Sequence, residues 1–276
     1  MTEERRPLRD WWTTVGGVPI CTRIGLPPPT PTAPALVLVH GYGVSSRYMV
    51  PTAERLASTC AVYAPDLPGS GRSGNPRRAL TLPELADALA AWMDALEVDR
   101  AAFLGNSMGC QTIVELALRH PRRIDRAVLV APVIDPRART ALQQGWRLFQ
   151  DMFRERPSET LITLRDYRRF GVRRGWRTYR AMMREPMEAK LPLVTIPTLV
   201  VRGERDPIVP QRWAEEVARL LPRGQLVVIP GAAHAVNYDA PAALTRVVLP
   251  FLLEGPHSTT NRVSRPLHDQ SNLEPP

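Results

Sequence analysis

The chain has 276 residues, 44% of them apolar, and a formal net charge of +9 from 36 Lys+Arg against 27 Asp+Glu. That apolar content is enough for a core and excludes global disorder, and no apolar run approaches the ~18 residues of a membrane span. Three scattered cysteines (Cys21, Cys60, Cys110) exclude a disulfide framework or a zinc site.

The opening residues Met1-Thr2-Glu3-Glu4-Arg5-Arg6-Pro7 lack the apolar segment of a signal peptide, so a soluble cytoplasmic protein is expected. Lys190 is the sole lysine, and the excess positive charge is local. Residues 136–190 hold 14 Lys+Arg and 6 Asp+Glu, a net of +8, against a net of +1 for the rest.

In chain order, Val15-Gly16-Gly17-Val18 reads as a hairpin turn. The proline-rich stretch 27–34 is a stiff connector. Continuous apolar runs at 35–39, 61–64, 101–104, 127–130, 198–201 and 226–229 have the length of strands buried on both faces. Helical patterns lie between or after them at 83–97, 108–119, 211–221 and 240–253, several opened by proline. This alternation predicts an α/β fold with a mostly parallel sheet covered on both faces.

The alternation breaks once. Residues 136–192 offer only helix-like segments, in which Trp146, Phe149 and Phe153 recur at i, i+3, i+7 and Trp176, Tyr179 and Met183 repeat that spacing. Arg169, Arg173, Arg177 and Arg180 fall on the other side. A helical insertion with an aromatic underside and a cationic top is expected. Residues 255–276 are polar and aperiodic and read as a disordered tail. The expected division is a core of 10–135 plus 193–254, a cap of 136–192 and the tail.

Gly105-Asn106-Ser107-Met108-Gly109 follows a strand and opens a helix. A serine on so tight a turn needs small flanking residues, and the turn lifts its hydroxyl to the carboxyl edge of the sheet beside free helix N–H groups. A serine hydroxyl needs a base, and the base an orienting acid. Asp206 in Gly203-Glu204-Arg205-Asp206-Pro207 and His234 in Gly231-Ala232-Ala233-His234 each follow a strand, in the chain order Ser, acid, His. Glu204 is the alternative acid. His120 ends a helix, and His257 and His268 lie in the tail.

His40-Gly41-Tyr42-Gly43 closes the strand at 35–39, where the Tyr42 N–H, together with that of Met108, can form an oxyanion hole. His40 itself reads as a brace for the loop. Gly69-Ser70-Gly71-Arg72-Ser73-Gly74 matches a dinucleotide fingerprint, but Asn75-Pro76 follows where a helix should begin, which argues against nucleotide binding. Cys110 reads as a buried small residue.

Together with Asp66-Leu67-Pro68-Gly69-Ser70-Gly71-Arg72-Ser73-Gly74, these motifs resemble the α/β-hydrolase superfamily over residues 10–254 and occur in its order. The resemblance implies an eight-stranded, mostly parallel sheet with helices on both faces and an inserted helical cap. It also implies no cofactor, no metal, and Ser107, Asp206 and His234 as catalytic residues. The elbow is similar to that of carbon–carbon bond hydrolases of ring-cleavage products, but those typically carry an aromatic residue after the histidine, where this chain has Ala235.

The expected activity is therefore hydrolysis of a carboxylic ester through an acyl-enzyme. Cleavage of a diketo acid is the alternative, and a non-catalytic ligand-binding module is the rival of another class. Trp146, Phe149, Phe153, Trp176, Tyr179 and Met183 are expected to line the substrate pocket. The expected partner is a small apolar or partly anionic ester. Nucleic acid is not expected, because helical phasing separates the aromatics from most arginines; the oligomeric state is left open.

Overall fold

In the computed structural model, residues 6–26, 33–152 and 157–253 are described. Phe153, most of the proline-rich connector and the 255–276 tail lie outside the described residues. The first two strands, β1 (Arg9–Val15) and β2 (Val18–Gly25), form the hairpin across Gly16-Gly17. The six apolar runs become β3 (Leu36–Val39), β4 (Val62–Pro65), β5 (Ala101–Asn106), β6 (Ile124–Val130), β7 (Thr198–Gly203) and β8 (Gly224–Ile229). All eight form one sheet in the order β1-β2-β4-β3-β5-β6-β7-β8. The β1–β2 and β2–β4 pairs are antiparallel and the rest parallel. β3, β5 and β7 are buried along their whole length, as continuous apolar runs require.

The helices in chain order are α1 (Val50–Leu56), α2 (Leu82–Ala95), α3 (Met108–Arg119), α4 (Ala141–Met152), α5 (Pro157–Phe170), α6 (Val172–Arg184), α7 (Met187–Lys190), α8 (Gln211–Leu220), α9 (Val236–Asp239) and α10 (Pro241–Leu253). α2 starts sharply because Thr81 and Glu84 form a reciprocal capping box with Pro83 in the first turn. The helix expected over 240–253 is α10, and the short turn α9 that precedes it, separated by the bend at Ala240, was not expected. α1 has no counterpart among the expected helices. Its seven residues, about two turns with Pro51 in the first, are too few to show a period. Among the described residues no helix is long and apolar enough to cross a membrane.

α4 to α7 occupy the expected interruption between β6 and β7. Polar contacts fasten this insertion to the core. Gln111 Nε2 donates to the Met182 carbonyl at 3.1 Å, and the Lys190 ammonium donates to both Glu115 of α3 and Glu185. Asp135, fully buried at the entrance to the insertion, accepts from Arg147 and Arg212. Lys190→Ala leaves two mostly buried carboxylates facing each other without their cation. The expected loss is about 2–4 kcal/mol of unfolding free energy at neutral pH, measured by urea titration.

Candidate active site

The elbow lies where β3, β5 and β6 meet α3. Ser107 takes φ 56° and ψ −119°, a conformation that costs a non-glycine residue of order 1–3 kcal/mol and persists only when its surroundings fix it. The Ser107 N–H donates to the Val130 carbonyl and its own carbonyl accepts from the Cys110 N–H, both at 3.0 Å. α3 then runs against β3 so closely that a Cβ on Gly109 would lie 2.3 Å from the Val39 carbonyl oxygen. Only glycine fits there, which explains the last position of the motif. Gly41 faces the serine from the next loop: a Cβ on it would meet Ser107 Cβ at 3.3 Å.

His234 follows β8 and is buried, with Nδ1 2.9 Å from Asp206 Oδ2. Asp206 is aimed by its own loop, since Oδ1 accepts from the Ile208 and Val209 N–H groups at 2.8 and 3.0 Å. This leaves Oδ2 for the imidazole, so Nδ1 carries the proton and Nε2 is the nitrogen left for chemistry. Burial pushes His234 down, but the charge and hydrogen bond of Asp206, with Asp151 and Glu159 of the insertion adding, raise it to about 9. Glu204 does a different job, its Oε2 accepting from the Gly231 N–H at 2.8 Å and bracing the turn that precedes His234.

The His234 and Ser107 loops are tied directly, because Asn106 Nδ2 donates to the His234 carbonyl at 3.3 Å. The structure joins His234 to Asp206; no hydrogen bond links Ser107 Oγ to the imidazole. The Tyr42 and Met108 N–H groups are engaged by no other group among the described residues, as expected for a loop end and a first helical turn. His40 is buried and braces this rim: Nε2 accepts from the Leu67 N–H at 3.0 Å and Nδ1 pairs with the Gly41 carbonyl at 2.9 Å. Burial pushes His40 below its ordinary value, which suits a neutral ring.

The glycine-rich 69–74 segment folds around Asp66, whose carboxylate accepts from the Ser46 N–H at 2.7 Å, the Ser46 hydroxyl at 2.6 Å and the Arg72 N–H at 2.7 Å. No helix opens at Gly74, and α2 begins only at Leu82. Cys110 is buried, with its thiol near the Gly105 and Val130 carbonyls and burial raising it well above its ordinary value. A protonated thiol there is no nucleophile.

The aromatic expectations divide. Trp146, Phe149 and Trp176 are 59%, 49% and 58% exposed. Their helical spacing records pairing along the helix surface, Trp146 on Phe149 and Trp176 on Tyr179, instead of an inward face. Tyr179 and Met183 do turn inward, Tyr179 at 6.3 Å from the Tyr42 ring. Tyr167 and Phe170, aromatics interleaved in the arginine-rich run 165–184, have ring centroids 5.7 Å from Tyr42 and were not among the expected pocket residues. A small cavity of about 10 Å³ beside Met108 is lined by Phe170, Thr178 and Arg174.

Arg202 also escaped the sequence reading. Its guanidinium donates to the carbonyls of Val209, Glu204 and Asp206 at 2.7, 3.0 and 3.0 Å, which fixes the acid-bearing turn. A buried arginine at a strand end carries no motif that would mark it. Gly203→Ala tests how tightly the acid and histidine loops depend on each other, since the new Cβ would lie 2.1 Å from the Ala233 carbonyl oxygen. The expected result is a fall in kcat of about 10²-fold, the scale of a 1 Å misplacement, read with any hydrolysed substrate.

Residues 36–247 match the alpha/beta hydrolase family, and the chain belongs to it. It is 26% identical over 247 residues to the candidate carbamate hydrolase RutD of Yersinia enterocolitica, covering 81% of this chain and 89% of that one. Among solved structures, the enol-lactonase of Burkholderia xenovorans LB400 superposes with a TM-score of 0.72 at 25% identity, over 88% of this chain and 100% of that one. A thermophilic esterase from Thermogutta terrifontis shares the fold, with a TM-score of 0.71 at 23% identity over 88% and 98%. The protein is a hydrolase of the alpha/beta fold.

Proposed function

We propose that this hydrolase cleaves a carboxylic ester by two-step acyl transfer, with Ser107 as nucleophile, His234 as base and Asp206 as the orienting acid. The observation that supports this reading most directly is the buried Asp206–His234 pair at 2.9 Å, set on the same sheet edge as a serine held at φ 56°. His234 Nε2 takes the Ser107 proton as Oγ bonds to the ester carbonyl carbon, and the carbonyl oxygen becomes the oxyanion. The Tyr42 and Met108 N–H groups stabilise that charge. Collapse expels the alcohol, which leaves with the proton from His234. Water then attacks the acyl-enzyme by the same route, freeing the acid and Ser107.

The missing contact between Ser107 and the imidazole is compatible with this chemistry, since such hydrogen bonds in a substrate-free enzyme are often long and tighten on binding. Tyr167, Phe170 and Tyr179 packed on Tyr42 offer an apolar wall for the acyl or alcohol group.

The test is a hydrolysis panel of activated esters of increasing acyl length, an aryl carbamate and a ring-cleavage diketo acid. Esters are expected to give the highest kcat/KM, with a burst of alcohol stoichiometric with enzyme. Turnover of the diketo acid alone would replace ester cleavage by carbon–carbon bond hydrolysis, and silence toward all three would favour a binding module.

A further inference from the structure

Apolar side chains left in water concentrate on one part of this molecule. Of the eleven large hydrophobic residues exposed among the described residues, eight lie on α4, α5 and α6, so the exposure is a property of the insertion and not of the surface in general. Leu142, Trp146 and Phe149 recur at i, i+4, i+7 along α4. On α5 the stripe is Leu161, Leu164, Arg165 and Arg168, and with Arg169 these residues line an open depression of about 430 Å³. On α6 Gly175, Thr178 and Met182 face the core, whereas Val172, 90% exposed, and Trp176 lie beside an outward row of arginines.

Those arginines are not spent on the protein itself. Among the described residues Arg165, Arg168, Arg169, Arg173, Arg177 and Arg180 are exposed and make no ion pair or side-chain hydrogen bond. The same segment carries the net +8 of residues 136–190. Bulky apolar groups and unpaired guanidinium groups exposed together on successive helices of one insertion match a layer that is anionic at its boundary and apolar just beneath it.

We propose that the outer face of α4, α5 and α6 docks on an anionic lipid bilayer, with Leu142, Trp146, Leu161, Leu164, Val172 and Trp176 entering the headgroup boundary and the arginines meeting lipid phosphates. A second copy of this chain fits worse, because a symmetric contact through this face would set its unpaired arginines against their own copies. Nucleic acid fits worse too: it would meet the arginines but leave the leucines and Val172 in water. The inference is independent of the chemistry assigned to Ser107.

The test is co-sedimentation of the full chain with vesicles of phosphatidylcholine alone and of equal parts phosphatidylcholine and phosphatidylglycerol, with tryptophan emission followed in parallel. Trp92 and Trp213 are buried and Trp11 and Trp12 are half-buried on β1, so a blue shift that is lost in Trp146→Phe with Trp176→Phe assigns the contact to α4 and α6. Binding confined to the phosphatidylglycerol vesicles, with an emission blue shift and at least tenfold weakening at raised salt, is expected. Arg168→Glu with Arg169→Glu should abolish sedimentation, and Leu161→Ser with Leu164→Ser should weaken it several-fold, both at an unchanged melting temperature.

Absence of sedimentation with either vesicle overturns the proposal, and this result needs no variant. Equal binding to both vesicles overturns its electrostatic basis. Salt-sensitive binding of single-stranded RNA without vesicle binding would assign the face to nucleic acid. A concentration-dependent dimer broken by Leu161→Ser with Leu164→Ser, again without vesicle binding, would assign it to a second copy.

Discussion

Ser107→Ala lowers kcat for an activated ester by four to six powers of ten, to the residual about 10³–10⁴ over water that oxyanion donors and binding alone can supply. The variant removes one oxygen atom and should improve the backbone fit little, since alanine at φ 56° is as strained as serine. Its melting temperature is therefore expected within a few degrees of the wild type, so loss of activity cannot be assigned to unfolding. KM should change little, because the hydroxyl acts in the transition state and not in holding the ground state. The measurement is steady-state hydrolysis of a p-nitrophenyl ester beside thermal melts of both proteins. Retention of even a tenth of the wild-type kcat would remove Ser107 from the reaction.

Asp206→Asn gives the second large effect and a signature in pH that a structural role would not produce. His234 must be neutral to accept the serine proton, and with its pKa raised to about 9 by Asp206 the charged ring predominates in the free enzyme at pH 7. The wild-type kcat/KM should therefore rise with pH through 7 to 9, with its midpoint well above the ordinary imidazole value of 6.5. Removing the Asp206 carboxylate deletes the charge and the hydrogen bond that hold the proton, and burial then pushes the ring down. The rising limb should move toward acid by at least one pH unit. At the same time kcat should fall by about 10⁴, because the amide leaves the wrong tautomer facing Ser107. A pH profile with its inflection unmoved by the substitution would show that Asp206 does not govern the base.

The parallel sheet was legible because a strand buried on both faces must be apolar throughout, although the run at 226–229 became the edge strand β8, which is only half-buried. The elbow was legible for a steric reason, since the Gly109–Val39 approach admits no side chain and so writes itself into the sequence. Asp206 and His234 were legible from their positions after β7 and β8. The inward face of the insertion was not. Its packing depends on which of several arginine-flanked aromatics meets Tyr42, a tertiary choice that left Tyr167 and Phe170 against that ring and Trp146 and Trp176 in water. Arg202 was invisible for a similar reason: its work is done on three carbonyl groups, which no residue type encodes.

The most direct measurement of the central claim is the mass of peptides from the native protein after reaction with a fluorophosphonate. An activated serine loses its proton to the base as its oxygen displaces fluoride from phosphorus. One adduct per chain is predicted, on the peptide that contains Ser107, formed faster as pH rises toward 9 and absent in Ser107→Ala. A folded protein that takes up no label, or takes it on another residue, would contradict the account.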